Sequence, residues 1–343
     1  FTHQKQAVAF LTEQLKRLSI KAMKQRICLT VDAEEADRLD ISLDIIANVF
    51  SDPDLKDWDG LGLAVQAYQK RAMAVIHWLV DLAKRENKHI RVRLVKGAYW
   101  DSEIKVAQEH GYKDYPVFTR KTSTDVSYLA CAKLMLKHQD TIYPQFATHN
   151  AYTVASILVM LDAYPQCRLE FQHLQGMGEA LHRQVLEYKG RAIPSRIYAP
   201  VGSHEDLLPY LVRRLLENGA NSSFVNQIAD SSVPVSELIA SPVRFTHSLE
   251  TVYNPKIPLP KDIYGKSRLN ANGIDITDYN ELTMLDKGLQ QYAQQQYTAA
   301  PMHKVIKQLG DADKVLNLLI ILTWLGMWFK HRLMILSNQS RAL

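Results

Sequence analysis

Short runs of apolar and β-branched residues alternate along this chain with longer segments whose apolar residues recur at helical spacing. The runs that predict strands are ICLTV (27–31), LGLAV (61–65), IRVRLV (90–95), PQFAT (144–148), RLEFQ (168–172) and RIYA (196–199). Helical spacing occurs at about 3–21 and after every strand, at 34–49, 69–86, 101–109, 121–138, 151–162, 179–189 and 205–218. Nearly continuous apolar strands separated by helices are typical of a parallel sheet that helices cover. The sequence therefore predicts an α/β fold.

A polar residue able to do chemistry lies at or near the end of each predicted strand: Asp32, Gln66, Arg93 with Lys96, His149, Gln172 and Tyr198. In a (β/α)₈ barrel the active site is assembled from the carboxyl ends of several strands, whereas an open sheet binds its ligand at one switch point. Polar residues also mark where any strand stops, but all the ends together favour the barrel. The strand–helix units number two fewer than a closed barrel needs. We therefore expect an incomplete (β/α)₈ TIM-type barrel with a C-terminal extension.

The composition excludes several classes of protein. With 47% hydrophobic and 22% charged residues, the chain is neither disordered nor collagen-like. The net charge of +5 is spread along the chain rather than gathered into a basic arm, so nucleic-acid binding is not expected. Cys28, Cys131 and Cys167 are odd in number and far apart, which favours free thiols in a reducing compartment over disulfides or a zinc site, and we expect a cytoplasmic protein.

The alternation of strands and helices ends near Asn226. Five of the 13 prolines lie between Pro234 and Pro260, which predicts a connector that wraps the surface, and a Gln-rich helical segment follows at 277–297. The uncharged stretch 315–329 is shorter than the roughly 20 residues that span a bilayer as a helix. We expect an N-terminal helix (1–26), the barrel (27–226), the connector with the Gln-rich segment (227–300) and an apolar tail (301–343).

RLVKGAYW (93–100) is the densest cluster of candidate functional residues. Arg93 and Lys96 supply positive charge, Gly97 lets the backbone approach a ligand, and Tyr99 and Trp100 supply aromatic faces. A flavin suits such neighbours because a cation near its ring nitrogens stabilises the reduced form. The cluster alone is weak evidence for a cofactor, since the sequence contains neither GxGxxG nor GxxxxGK[ST].

Asp32 opens VDAEEADR (31–38) at the tip of the first strand and is a candidate for the site. We expect Glu34, Glu35 and Asp37 to open the next helix, where acidic side chains suit the helix dipole.

His149 and Asn150 follow the strand in ATHNAYT, where the histidine could bind a metal, bond a cofactor or cap the next helix. On the helix of SHEDLLPYLVRRLLENGAN, Arg213 and Arg214 are spaced to pair with Glu217. An ordinary surface helix explains this spacing. The functional alternative is a pair of guanidinium groups that clamp a substrate carboxylate.

Taken together, the motifs resemble the proline dehydrogenase domain of the bacterial bifunctional proline-utilisation flavoenzymes. The resemblance extends from about Ile27 to about Ala300 and rests on strings that follow one another in the same order. These strings are DAEEADR, QAYQKR, RLVKGAYWDSEIK, YPVFTRK, TDVSYLACAK, YPQFATHN, EFQHLQGMGE, RIYAPVG and LVRRLLENGANSSFVNQ. The resemblance implies a barrel that binds FAD and oxidises L-proline to pyrroline-5-carboxylate.

The resemblance also assigns roles to residues. Arg93 would lie against the flavin, Asp32 would organise the site, and Tyr99 and Tyr198 would wall the proline ring. Arg213 and Arg214 would bind the proline carboxylate, with Glu217 orienting them. The remaining residues would hold FAD: Gln66, Val95, Lys96, Gly97, Ala98, Trp100, Thr119, Arg120, Lys121, Thr148, His149 and Asn150.

The family further implies that electrons pass to a membrane quinone, and hence peripheral association with the inner face of the cell membrane. Two departures leave an alternative open. The family's early-strand lysine, in a motif near KLSALHPR, has no counterpart before Asp32, and residues after about Met302 resemble nothing in the family. The alternative is a non-catalytic remnant that lacks the first strands and this substrate-binding lysine. A third hypothesis is a metal-dependent barrel hydrolase that uses Asp32 and His149.

Overall fold

The computed structural model describes residues 3–219, 234, 236 and 239–293. Its main sheet has six parallel strands in the order β1-β2-β3-β4-β5-β8. The strands are β1 (Leu29–Val31), β2 (Leu61–Gln66), β3 (Ile90–Val95), β4 (Ile142–Ala147), β5 (Glu170–Leu174) and β8 (Ser195–Tyr198). Two-residue strands, β6 (Glu187–Tyr188) and β7 (Arg191–Ala192), form a separate antiparallel hairpin.

A helix precedes the sheet, and further helices connect its strands. They are α1 (Gln4–Lys24), α2 (Leu39–Phe50), α3 (Ala72–Arg85), α4 (Trp100–His110), α5 (Lys121–Lys137), α6 (Ala151–Leu161), α7 (Glu179–Val185) and α8 (His204–Gly219). Two helices come later in the chain, α9 (Pro242–His247) and α10 (Tyr279–Ala293). The chain divides into two compact units, Phe1–Thr277 and Asp278–Leu343, and α10 is the described part of the second.

The two faces of the sheet differ in character because side chains alternate along each strand. On β3, Ile90, Val92 and Leu94 are buried in the apolar core with side chains of α3 and α5. Arg93 points to the opposite, inner face, where Gln145 of β4 lies beside it in register. Apolar burial of the outer face therefore holds the helices on the sheet, while the inner face is polar.

The sheet is curled, so that its two edge strands approach each other. The hydroxyl of Tyr198, the last residue of β8, donates to Oδ2 of Asp32, directly after β1, over 3.5 Å. The prediction of an α/β fold with an incomplete TIM-type barrel is therefore confirmed, and the described strands form a half-barrel of six.

The predicted strands agree with the observed ones to within two residues. Two predicted helices are partly wrong. The segment 34–49 becomes helical only at Ala36–Arg38, as a short 3₁₀ turn, and α2 begins at Leu39, so Glu34 and Glu35 lie in the loop and do not open the helix. The segment 179–189 stops at Val185, because Lys189 and Gly190 both adopt left-handed backbone conformations that turn the β6–β7 hairpin.

The proline-rich connector lies against the α4–α5 region of the half-barrel. The backbone N–H of Asn254 donates to Thr119 Oγ1 over 2.9 Å, and the side chain of Asn270 donates to the carbonyl of Gln108 over 2.9 Å. Gly111 and Gly273 meet backbone to backbone, and a Cβ on Gly111 would lie 1.8 Å from the carbonyl oxygen of Ala271. Only glycine permits this approach.

Within the described ranges, no helix is long and apolar enough to cross a membrane. The stretch 315–329 and the rest of the predicted tail lie outside those ranges.

Lys88 is a buried cation that ties α2 to the start of β3. Its Nζ donates to the carbonyls of Phe50 and Leu55 over 2.9 and 2.8 Å and lies 4.4 Å from the centre of the Phe50 ring. Burial lowers the pKa of Lys88 below its usual value. The amine therefore satisfies two carbonyls that the end of α2 and the following turn would otherwise leave without a donor.

We predict that Lys88→Met lowers the free energy of unfolding by about 1–3 kcal/mol, because two buried carbonyls lose their donor. Urea unfolding measures the change. Lys84→Met, on the exposed side of α3, is the matched control and should cost less than about 0.5 kcal/mol. Equal losses in the two variants would contradict this role of Lys88.

Candidate active site

Arg93 lies at the centre of the inner face and is held from both sides. Its Nε donates to Oε1 of Gln172 on β5 over 2.8 Å, and its Nη1 donates to Oδ1 of Asp32. The guanidinium lies 5.3 Å from the centre of the Tyr198 ring. The side chain of Arg93 is only 14% exposed, whereas that of Asp32 is 60% exposed. The ion pair therefore sits at the mouth of the half-barrel, with its arginine on the inner side.

A second layer of polar side chains lies behind Arg93. The carboxylate of Glu170 accepts two hydrogen bonds from Arg196, one from Nε and one from Nη2, both over 2.8 Å. It also accepts hydrogen bonds from Nε2 of Gln145 over 2.8 Å and from Nε2 of Gln172 over 2.6 Å. Burial alone raises the pKa of Glu170, but the hydrogen bonds from Arg196 and Gln172 outweigh it and leave the pKa below its usual value. This carboxylate is ionised at neutral pH.

The loop after β3 approaches the loop after β1 through Gln66 at the end of β2. Gln66 Nε2 donates to the carbonyl of Glu34 over 2.6 Å, and its Oε1 accepts the N–H of Ala98 over 3.4 Å. Gly97 has φ +133°, and a Cβ there would lie 2.5 Å from the ring of Tyr68. Both the backbone conformation and the neighbouring ring therefore require glycine.

Glu103 of α4 contacts the segments that follow β1 and β2. Its carboxylate accepts the backbone N–H of Ala36 over 2.6 Å and lies 3.5 Å from the hydroxyl of Tyr68. Burial raises the pKa of Glu103.

The end of β4 is supported by buried histidines. His149 Nε2 accepts the N–H of Leu174, so this imidazole must be neutral with its proton on Nδ1. Burial, with smaller contributions from His182, His173 and Arg214, lowers the pKa of His149 to about 4. His182 Nε2 bonds the carbonyl of Thr148 over 3.0 Å. Neutral imidazoles thus hold the Thr148–Asn150 turn.

Asn150 caps α6, because its Oδ1 accepts the N–H of Thr153 over 2.9 Å. Helix α8 is capped by Ser203, whose Oγ accepts the N–H of Asp206 over 3.3 Å.

Both arginines of α8 act on predicted site residues. The pKa of Tyr99 is raised chiefly by burial and by the negative charge of Glu34, and the positive charge of Arg213 opposes this rise. The guanidinium of Arg214 lies 5.2 Å from the centre of the Tyr210 ring, and its charge acts on His149. The side chain of Glu217 lies outside the described part of the chain.

Other residues predicted to hold a cofactor have partners elsewhere. Lys96 Nζ donates to Asp125 of α5, and Trp100 Nε1 donates to the carbonyl of Phe118 over 2.8 Å. Arg120 Nε donates to the carbonyl of Tyr253 in the connector over 2.9 Å, and Lys121 begins α5. Val95, the last residue of β3, is half-buried at the same edge of the sheet.

From the sequence we expected no role for Glu170, Arg196 or His182, and we considered Gln172 only as a strand end. A signal for two of them was present, because Glu170 and Gln172 stand two residues apart on one strand and must share a face. The role of His182, on a short helix distant in sequence from Thr148, had no local signal.

In the ranges that the structure describes, no group of three histidine, cysteine, aspartate or glutamate side chains is placed to hold a metal ion. The hydrolase hypothesis, built on Asp32 and His149, therefore has no third ligand there.

Comparison with known proteins identifies the family. The family model described as proline dehydrogenase matches residues 2–227. The bifunctional protein PutA of Salmonella typhimurium is 50% identical over 321 residues, which cover 90% of this chain and 24% of that protein. Human mitochondrial proline dehydrogenase 1 is 30% identical over 227 residues, covering 61% of this chain and 36% of that one. The chain thus spans about a quarter of the length of the PutA relative.

Solved structures agree. A crystal structure of a bifunctional proline utilization A (PutA) protein superimposes with a TM-score of 0.80 at 49% identity, covering 88% of this chain and 30% of that one. The resemblance predicted from the motifs is confirmed, since the family model matches well over half of the residues: the chain belongs to the proline dehydrogenase family.

Proposed function

We propose that this chain is the proline-oxidising part of a flavoenzyme, which binds FAD and converts L-proline to pyrroline-5-carboxylate. The observation that carries the proposal is the placement of Arg93 between Asp32, Gln172 and Tyr198 at the carboxyl ends of the strands. The names of the relatives, proline dehydrogenase and PutA, support proline as the substrate. As part of a longer protein, the chain would contribute this activity to the whole.

The residues at this edge fit FAD by their chemistry. Lys96, Arg120 and Lys121 offer cations for a pyrophosphate, and the N–H of Ala98, held only by a 3.4 Å bond, is available to a ligand. We propose that the cofactor is held by these residues and by Gln66, Arg93, Val95, Gly97, Trp100, Thr119, Thr148, His149 and Asn150. When bound, FAD supplies the two-electron acceptor.

The protein's own part in the reaction is to bind and orient proline. Arg213 and Arg214 bind the carboxylate, which fixes the position of the ring, and Tyr99 and Tyr198 flank its apolar carbons. Oxidation removes a hydride from Cδ, the ring carbon beside the nitrogen that does not carry the carboxylate, and a proton from the nitrogen, and a C=N bond forms between the two atoms. The amine must therefore be deprotonated before or during the step. Asp32 keeps Arg93 oriented.

We also propose that the electrons leave to a membrane quinone and that the protein associates peripherally with the membrane. Support comes from the family resemblance alone.

The direct test of the function is the visible spectrum of the purified chain with FAD. We predict a yellow protein whose absorbance near the flavin maximum bleaches without oxygen on addition of L-proline. D-proline is the control, because with its carboxylate bound in the same place its ring would direct the nitrogen and Cδ to a different position from those of L-proline. A chain that binds no FAD, or holds FAD that L-proline does not bleach, would contradict the proposal and favour the non-catalytic remnant.

The carboxylate clamp makes a second prediction. Arg213→Met and Arg214→Met should each raise the KM for proline about 10- to 150-fold, because a hydrogen bond to a charged group contributes about 1.5–3 kcal/mol. FAD should remain bound. Steady-state rates with a soluble quinone measure KM, and Arg85→Met, on exposed α3 surface, should leave it unchanged. An unchanged KM in both α8 variants would reject the clamp.

Acid should weaken FAD retention through His149. Its pKa of about 4 in the folded chain, against the usual 6.5, means that the folded state is stabilised above pH 6.5 and loses this stability as the pH falls towards 4. We predict that the fraction of FAD retained after desalting falls across this window. His149→Gln removes the titrating group and should flatten the profile. An identical pH profile in that variant would show that His149 is not responsible.

A further inference from the structure

Glu170 is a buried carboxylate on the inner face that is not among the residues proposed to touch substrate or cofactor. It is 1% exposed at the start of β5 and bonds Gln172, which in turn bonds Arg93. We propose that Glu170 is a positioning residue that fixes the amide of Gln172 and, through it, the direction in which the guanidinium of Arg93 faces. This inference rests on the proposed role of Arg93 beside the flavin.

The carboxylate of Glu170 is itself immobilised by donors from two neighbouring strands. Arg196 of β8 forms a two-pronged pair with it, both distances being 2.8 Å, and Gln145 of β4 donates to Oε1 over 2.8 Å. An ionised carboxylate can only accept hydrogen bonds. Every group that faces Glu170 must therefore present an N–H or O–H.

This requirement sets the orientation of the Gln172 amide. Its Nε2 faces Glu170 over 2.6 Å, so its Oε1 points the other way, to Arg93 Nε over 2.8 Å. Arg93 Nε carries one hydrogen and can only donate. A reversed amide would place its NH₂ against the Arg93 donor and its oxygen against the carboxylate, and both contacts would be repulsive. Glu170 and Arg93 together allow one orientation.

These contacts fix the orientation of the guanidinium plane of Arg93. Nε is bonded to Gln172 on one side and Nη1 to Asp32 on the other, so rotation about the last side-chain bonds would break one of two hydrogen bonds. Gln172 thus holds the guanidinium of Arg93 from the inner side and Asp32 holds it from the outer side. Such a shell of supporting bonds is what keeps a catalytic group in its productive geometry.

A purely structural role for Glu170 would be neutralisation of Arg196. The burial of the two side chains argues against it, because the side chain of Arg196 is 59% exposed and that of Glu170 only 2%. Water can solvate Arg196 without its partner. The ionised carboxylate, in contrast, is buried, and it also accepts hydrogen bonds from the amides of Gln145 and Gln172 and, over 3.4 Å, from the hydroxyl of Tyr143.

The test measures Arg93 itself. In the ¹⁵N NMR spectrum of the full chain without FAD, the Arg93 Nε–H signal, assigned by its loss in Arg93→Lys, should exchange slowly with water. Glu170→Gln should speed this exchange about 10- to 150-fold, the equivalent of one charge-assisted hydrogen bond. Glu86→Gln, which changes a carboxylate after the end of α3 that bonds Ser51 and not Gln172, is the control and should leave the rate unchanged.

Two further variants separate positioning from charge balance and guard against unfolding of Glu170→Gln. Gln172→Met should give the same fast exchange with the Glu170–Arg196 pair intact, and adding Glu170→Gln to it should change nothing more. Glu170→Gln with Arg196→Gln should stay fast. Slow exchange in Gln172→Met, or recovery in the Glu170/Arg196 double variant, would overturn the inference.

The NMR readout does not require the cofactor, so the two proposals can fail separately. If the chain binds no FAD but the exchange rates behave as stated, the proposed function fails and the positioning role of Glu170 stands. If FAD binds and L-proline bleaches it, kcat should fall at least tenfold in Glu170→Gln while KM changes less than twofold. FAD chemistry that leaves Arg93 exchange slow in both single variants contradicts the positioning role alone.

Discussion

A guanidinium group that is mostly withdrawn from water needs an acceptor for each N–H that it buries. Inside this half-barrel that condition is met for Nε and Nη1 of Arg93 by Gln172 and Asp32, and Gln172 can serve only because Glu170 fixes its amide. The polar inner face is therefore one connected network that includes residues of β3, β4, β5 and β8 together with Asp32 after β1. Removal of one member leaves another without a partner, which makes the arrangement specific as well as stable.

Apolar burial on the outer face of the same strands offsets the energetic cost of burying this polar network. Val92 and Leu94 alternate with Arg93 and are fully buried with apolar side chains of the surrounding helices. That burial provides the stability, while the inner face contributes little apolar area and carries the chemistry. Parallel strands with crossover helices bring all carboxyl ends to one edge, so residues distant in sequence, such as Asp32 and Tyr198, meet at 3.5 Å.

Local patterns were sufficient to predict the strands, most helices and the α/β half-barrel. Strands and helices repeat every 2 and 3.6 residues, so the spacing of apolar residues that lie close together in sequence reveals them. They failed where a single turn overrode the pattern, as at Lys189 and Gly190, and where Glu34 and Glu35 belong to a loop that Gln66 and Glu103 hold. Polar side chains at the strand ends were found from sequence, but their partners were not.

Those partners depend on tertiary structure. In the sequence Glu170 is a single residue within an apolar strand, and only the strand register shows that Gln145 and Arg196 lie beside it. The connector illustrates the same limit: its prolines predicted a surface course, yet the contacts of Asn254 and Tyr253 with the Thr119–Arg120 turn lie more than a hundred residues away in sequence. The roles of the site residues were predicted through the family resemblance and remain proposals.

The central claim is that the carboxyl ends of these strands form one flavin site around Arg93. A crystal structure of this chain with FAD bound tests it most directly. We predict the flavin ring beside Arg93, with Gln172 and Asp32 still holding the guanidinium and with Tyr99 and Tyr198 facing the space where proline would lie. A flavin bound elsewhere on the chain, or an Arg93 turned away from Gln172 and Asp32, would contradict it.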